Sequence, residues 1–233
     1  MTEWLSDFKN RFYLNFIKDD RWQYITRGLW VTIQITVFAV ILGIVIGFLV
    51  AIIRSAHDKT GRLKIANAVC RLYLTVIRGT PVVVQLLIIY YGIFASVAID
   101  KMIVAVIAFG INSGAYVAEI VRSGIMSVDN GQLEAGRSLG FSFPQTMLYI
   151  IIPQAFKNVL PALGNELIVL LKETSVSGYI AMEDLTKGGD IIRSRTYDAM
   201  MPLLAVAAIY LVVVIFLEYL VGRLERRLRN SEH

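Results

Sequence analysis

Arg78, Gln85, Asn112, Ser113, Tyr116, Glu119, Asn165 and Glu166 are polar or ionisable side chains set in otherwise apolar sequence. Inside a bilayer such groups are costly, and they face a bundle interior, a partner charge or a water-filled path. At 1.5 Å of rise per residue, Arg78 falls about 18 Å along its apolar segment, Asn112 about 15 Å and Glu166 about 18 Å. All three come out near mid-membrane and could share one cavity. Asn112, Tyr116 and Glu119 recur at helical spacing and line one face, with Ser113 beside them, while Arg78 and Gln85, two turns apart, share another. The structural alternative is that Arg78 with Glu119, and Arg122 with Glu119 one turn away, are ion pairs that hold helices together.

Other chemistry finds no support. One cysteine, Cys70, and two histidines, His57 and His233, leave no disulfide framework, no zinc site and no Cys/His dyad. Cys70 reads as a small packing residue. No Gly-Lys dipeptide occurs, so the phosphate-cradling G-x-x-x-x-G-K-[ST] loop is absent. No catalytic residue, metal ligand or bound cofactor is assigned to this chain.

The elements that must position these residues are membrane helices. With 56% hydrophobic residues and a mean hydropathy of +0.62, the chain is too apolar for an ordinary soluble domain. A net charge of +5 could point to nucleic acid, but Lys and Arg cluster beside apolar segments, which favours anionic lipid headgroups. Residues 1–27 form an interfacial amphipathic helix with Trp4, Leu5, Phe8 and Phe12 on its apolar side. No charge interrupts Gly28 to Ile53, the first span, in which Gly43 and Gly47 make a small-xxx-small packing pair. The second span starts near Ala66 and runs uncharged from Gly79 to Ile99; the third occupies about Met102 to Arg122. Pro153 and Pro161 interrupt the next apolar stretch and, together with the resemblance given below, imply a broken fourth helix from about Gln154 to Glu173. An external loop with a short helix follows to Asp198, and Ala199 to Leu217 spans last. The expectation is an all-α membrane protein of about five transmembrane helices, with its N-terminus outside and its C-terminus cytoplasmic. Lys9, Arg11, Lys18, Arg21 and Arg27 alone would argue for an N-terminus inside; the outside reading depends on the basic segments 54–71 and 122–157 and on the resemblance given below. The transmembrane domain covers 28–226 and a tail 227–233.

Between the third and fourth spans lies EAGRSLGFSFPQTMLYIIIP, Glu134 to Pro153, which combines an acid, small residues, a turn and an apolar run. Two short helices broken around Gly140 and Pro144 can present a rigid knob, with small residues allowing close approach and Glu134 at a helix N-terminus or at the contact. Glu134, Ala135, Gly136, Gly140, Ile150, Ile152 and Pro153 fall in the register of the E-A-A loop of binding-protein-dependent ABC importer permeases. Gly136 stands for the second alanine and Ile152 for the leucine. RGTPVVVQ, NSGAYVAEIVRSGI and LPALGNELIVLLKETS are similar to the polar amino acid branch of that family, so the chain resembles it from about Gly28 to Arg226.

That resemblance implies a type I ABC importer permease fold and a multi-pass protein of the bacterial plasma (inner) membrane. A second permease subunit, identical or not, would complete the pathway, an extracytoplasmic solute-binding protein would deliver the amino acid, and a separate ATPase would carry ATP and Mg. The coupling loop, about 126–153, would dock that ATPase through Glu134, Ala135, Gly136, Gly140 and Pro153. The substrate-binding candidates are Arg78, Gln85, Asn112, Ser113, Tyr116, Asn165 and Glu166. Arg78 or backbone N-H groups could take the cargo carboxylate, and Glu166 a cation, favouring arginine, lysine or histidine over an acidic cargo. The same importer type for glutamine or another polar amino acid is the alternative. An ion-coupled carrier is a rival of another class, and a membrane-embedded enzyme lacks a catalytic constellation.

Overall fold

The computed structural model of the chain describes residues 2–229. The remainder of the expected 227–233 tail lies outside the described residues, as does His233. Every regular element among the described residues is helical: α1 (Thr2–Phe12), α2 (Trp22–Thr60), α3 (Lys64–Gly79), α4 (Val82–Ile88), α5 (Lys101–Met126), α6 (Asn130–Ser138), α7 (Phe143–Thr146), α8 (Ile152–Glu173), α9 (Leu185–Thr196) and α10 (Met200–Arg229). Single π-helical turns extend α4 over Ile89–Ile93 and join α7 to α8 over Met147–Ile151.

Close approach of α2 and α5 sets the course of the chain. A Cβ on Gly43 would lie 2.8 Å from Ser113, one on Gly47 2.5 Å from Val117, and one on Gly110 2.6 Å from Leu42. Side chains therefore fill the notches left by glycines on both helices, as expected for the Gly43/Gly47 pair. Rising numbers on α2 meet rising numbers on α5, so the two run parallel. The chain between them must pass from one end of the bundle to the other, and only α3 with α4 can carry it. Among the described residues four helices are long and apolar enough to span, and the bent α3–α4 pair is the candidate for a fifth crossing.

The expected break in the fourth span lies instead in the second. Thr80 is extended (φ −125°, ψ 147°) ahead of Pro81, whose ring disfavours a helical residue before it, and α3 and α4 meet at a 112° bend. α8 runs unbroken through Pro161, with Pro153 in its first turn, where a missing N-H costs little. Arg78 and Gln85 consequently do not share a face.

The main core lies where Ile35 of α2, Leu86 of α4, Phe109 of α5, Leu170 of α8 and Ile180 meet, all essentially inaccessible. Cys70 is buried in a second cluster with Leu74 and Ala115. At the N-terminus, Trp4, Leu5, Phe8 and Phe12 are exposed along α1, as the amphipathic reading expects. Below them the segment is tied down: Arg11 donates to Asp198 at 2.9 and 3.0 Å, and buried Asn15 donates to Asp198 at 2.9 Å. The expected external loop contains α9, which packs against α2 through Gly28 and Gly188.

Candidate functional site

The turn at Pro81 leaves the last carbonyls of α3 without helical donors. Gln85 supplies them, its Nε2 donating to Ile77 O at 2.7 Å and to Thr80 O at 2.9 Å. Its Oε1 accepts a 3.0 Å hydrogen bond from Asn112 Nδ2 on α5. Gln85 is thus buried and holds the bend against α5. The other face of the Asn112 amide differs: its Oδ1 is buried and has no hydrogen-bond partner among the described residues. An orphaned buried acceptor is expensive unless something supplies a donor.

One residue further, Ser113 Oγ donates 2.8 Å to Glu166 Oε1 on α8, with both side chains buried. The carboxylate thus sits inside the bundle with a hydroxyl as its bonded partner. Tyr116, one turn from Asn112, is exposed and lies under the Arg78 guanidinium, 6.0 Å from its carbon to the ring centroid. Asn165 is exposed beside Glu166. The fold therefore brings Gln85 to Asn112, Ser113 to Glu166 and Arg78 to Tyr116, while Asn165 joins no hydrogen bond among the described residues.

Towards the α6–α7 end of the bundle, Glu119 joins three helices. Arg54 of α2 pairs with it at 2.8 Å and Arg78 of α3 at 3.7 Å, so the expected Arg78–Glu119 pair forms and Arg54 is its stronger competitor. Two cavities share Glu119. One, of about 400 Å³, carries Arg54, Arg71 and Arg78; the other, of about 520 Å³, carries Ser123, Ser127 and Asn158. Asn158 Nδ2 donates to Ser127 Oγ at 2.9 Å, joining α8 to the end of α5.

The expected coupling loop folds as two short helices around a turn. Asp129, not Glu134, caps α6, accepting from Gly131 N at 2.6 Å; Glu134 sits mid-helix and is exposed. Gly140 ends α6 with φ +88°, a left-handed value that suits glycine, and Phe141 N returns to Gly136 O at 3.1 Å. Pro144 lies in the first turn of α7, which begins at Phe143, so the chain breaks between Gly140 and Pro144 as expected. Gly136 is buried, and a Cβ there would lie 2.5 Å from Thr146 Cγ2, so its smallness serves packing within the knob. Ala135, Leu139, Gly140 and Pro153 are exposed, and Leu139 leaves a large apolar side chain on that surface.

Arg54 and Asp184 escaped the sequence reading. Arg54 follows a long apolar run and reads as the start of a basic loop, with nothing local to reveal its partner on α5. Asp184 is fully buried and caps α9 through Thr186 N at 3.0 Å and Lys187 N at 3.3 Å, a signal visible only as Asp before a short helical stretch. Burial pushes its carboxyl up to about 6. Among the described residues no group of His, Cys, Asp and Glu could hold a metal ion.

Residues 43–230 match the family of binding-protein-dependent transport system inner membrane components. The chain is 35% identical to the arginine transport system permease protein of Bacillus subtilis (strain 168), covering 90% of this chain and 94% of that one. It is 38% identical to the glutamine transport system permease protein of Escherichia coli (strain K12), over 87% and 91% of the two chains. A solved amino acid ABC transporter with histidines superimposes with a TM-score of 0.83 at 44% identity, over 88% of this chain and 94% of that one. The inward-facing methionine transporter MetNI superimposes at 0.75 with 20% identity, over 91% and 99%, a likeness of fold alone.

Proposed function

The chain belongs to the family of binding-protein-dependent transport system inner membrane components, and from that premise we propose that it forms the pathway of an ATP-driven polar amino acid importer, with basic cargo preferred. As a member it is the multi-pass inner-membrane permease of an ABC transporter and not the ATPase subunit. The observation that carries the cargo reading is the buried Glu166 carboxylate, held by Ser113 one residue from the orphaned Asn112 Oδ1. A cargo ammonium would supply the missing donor to Asn112, and a guanidinium, ammonium or imidazolium side chain would complement Glu166. An acidic cargo would place a second anion there and be repelled. Tyr116 and Asn165, exposed beside these groups, complete the polar face; Gln85 acts by holding the bend.

The arginine permease of B. subtilis supports this preference, and the glutamine permease of E. coli supports the second reading, a neutral polar cargo. Orientation follows from the partners. The α6–α7 end faces the cytoplasm, where an ATPase subunit holding ATP and Mg grips the knob through Glu134, Ala135, Gly140 and Pro153. The α9 end and the N-terminus face outside, where the binding protein delivers cargo. A second permease subunit, identical or not, closes the pathway along the exposed Tyr116 and Asn165 face. ATP-driven approach of the ATPases moves the knobs, and the bundles rock about the fixed site.

Competition of unlabelled arginine and glutamine for uptake tests the cargo assignment. Glu166→Gln is expected to lower arginine uptake more than tenfold relative to glutamine, from loss of a charge-assisted contact of about 1.5–3 kcal/mol. Equal loss for both, or none, removes Glu166 from the cargo site.

A further inference from the structure

The groove between α2, α3 and α5 holds more positive charge than its own residues neutralise. It carries three guanidinium groups, Arg54, Arg71 and Arg78, against the single carboxylate of Glu119. Glu119 is bonded tightly by Arg54 at 2.8 Å and loosely by Arg78 at 3.7 Å. Arg71 is exposed and has no hydrogen-bond or ion-pair partner among the described residues. It lies about 10 Å along α3 from the start of that helix, by the rise per residue. An unpaired guanidinium at that depth faces water in a cavity or a headgroup, not acyl chains.

We infer that this groove is a carboxylate station, in which Arg71 and Arg78 take the α-carboxylate of the cargo as it leaves the buried Asn112–Ser113–Glu166 cluster. The inference rests on the amino acid reading above and extends it to a second site. Three observations place the station on the cargo's way. Arg78 lies over Tyr116, one turn from Asn112, so the groove begins where the buried cluster ends. Glu119 is common to this groove and to the cavity of Ser123, Ser127 and Asn158, which continues towards the α6–α7 end. Charge also separates along that route, with a carboxylate at Glu166 and guanidiniums at Arg71 and Arg78. A zwitterion with a cationic side chain can meet complementary groups in turn. Arginine forks suit a carboxylate, whose two oxygens accept parallel N-H bonds. The phosphate of an anionic lipid offers the same chemistry, so the test distinguishes the two.

The permease–ATPase complex, without binding protein, is placed in nanodiscs of phosphatidylcholine or of phosphatidylcholine with phosphatidylglycerol. Its Tm is followed with L-arginine, L-glutamine and the α-amide of each. In wild type at least one acid stabilises the complex, and its amide needs a roughly tenfold or higher concentration for the same shift, as loss of charge-assisted hydrogen bonds requires. Arg71→Gln erases that acid/amide difference in both disc types, and Arg71→Lys restores part of it. Three results overturn the station: no stabilisation by either acid, an acid/amide difference that survives Arg71→Gln, or an Arg71→Gln effect confined to discs with phosphatidylglycerol. Failure of the cargo reading looks different. Glutamine would then stabilise better than arginine, with the acid/amide difference intact.

Discussion

Ser113 on α5 donates a 2.8 Å hydrogen bond to the carboxylate of Glu166 on α8, and both side chains are buried. Ser113→Ala leaves that oxygen without its donor and costs roughly 1–2 kcal/mol. The assembled complex should melt measurably lower in a thermal scan, and arginine uptake should fall with it. An unchanged Tm together with unchanged uptake would show that this hydrogen bond positions nothing.

Gly136 faces Thr146 inside the knob formed by α6 and α7, leaving no room for a Cβ. Gly136→Ala forces the two helices apart, an overpacking of about 1–3 kcal/mol, and should reduce co-purification of the ATPase. Thr146→Ala, which removes both the methyl at 2.5 Å and the hydroxyl at 2.9 Å from such a Cβ, should restore attachment in the double variant. Full attachment of the single variant would mean that knob shape does not matter.

Gly28 and Gly222 make opposite predictions under one substitution. A Cβ at Gly28 would lie 2.6 Å from the backbone oxygen of Asp184, whereas at Gly222 nothing lies within 4 Å. Gly28→Ala should destabilise the α2–α9 contact by about 1–3 kcal/mol, while Gly222→Ala should be neutral or stabilise by up to about 1 kcal/mol through helix propensity. Limited proteolysis between α9 and α10 would resolve the pair, and equal digestion of both variants would refute the contact.

Two acids at the α9 end should give opposite pH trends. Burial raises Asp184 from its ordinary 3.8 to about 6, so the folded state holds the proton more tightly than the unfolded one. The stability this confers is present below about pH 4 and is lost as pH rises through about 6. Asp198 is held below its usual range, chiefly by the Arg11 hydrogen bond, so its contribution is present above its ordinary 3.8 and is lost as pH falls below that value. Hydrogen–deuterium exchange, corrected for intrinsic rates, should show α9 better protected at pH 5 than at pH 7, a difference that Asp184→Asn abolishes. Protection of α9 that is flat between those values would contradict the burial of the charge.

Local signals made much of this legible, and long-range geometry hid the rest. Long uncharged runs marked the spans, Gly43 and Gly47 marked a close helix crossing, and the register from Glu134 to Pro153 marked the knob. Asn112, Ser113 and Glu166 stood out because polar groups in apolar sequence need partners. Proline misled in both directions: Pro161 is carried within α8, and Pro81 bends the second span instead. Sequence gives the prolines but not which carbonyls find substitutes, and the Gln85 side chain supplies them at Pro81. Arg54 was hidden for a similar reason, because its partner Glu119 comes from a distant helix, whereas Asp184 bonds the first turn of its own α9 and only its complete burial is a long-range effect.

The most direct measurement is accumulation of labelled arginine in proteoliposomes holding the permease, its ATPase subunit and the binding protein. Uptake should require ATP, stop when Gly136→Ala loosens the knob and resume with Thr146→Ala. Accumulation by the permease alone, driven by an ion gradient without ATP, would contradict the account.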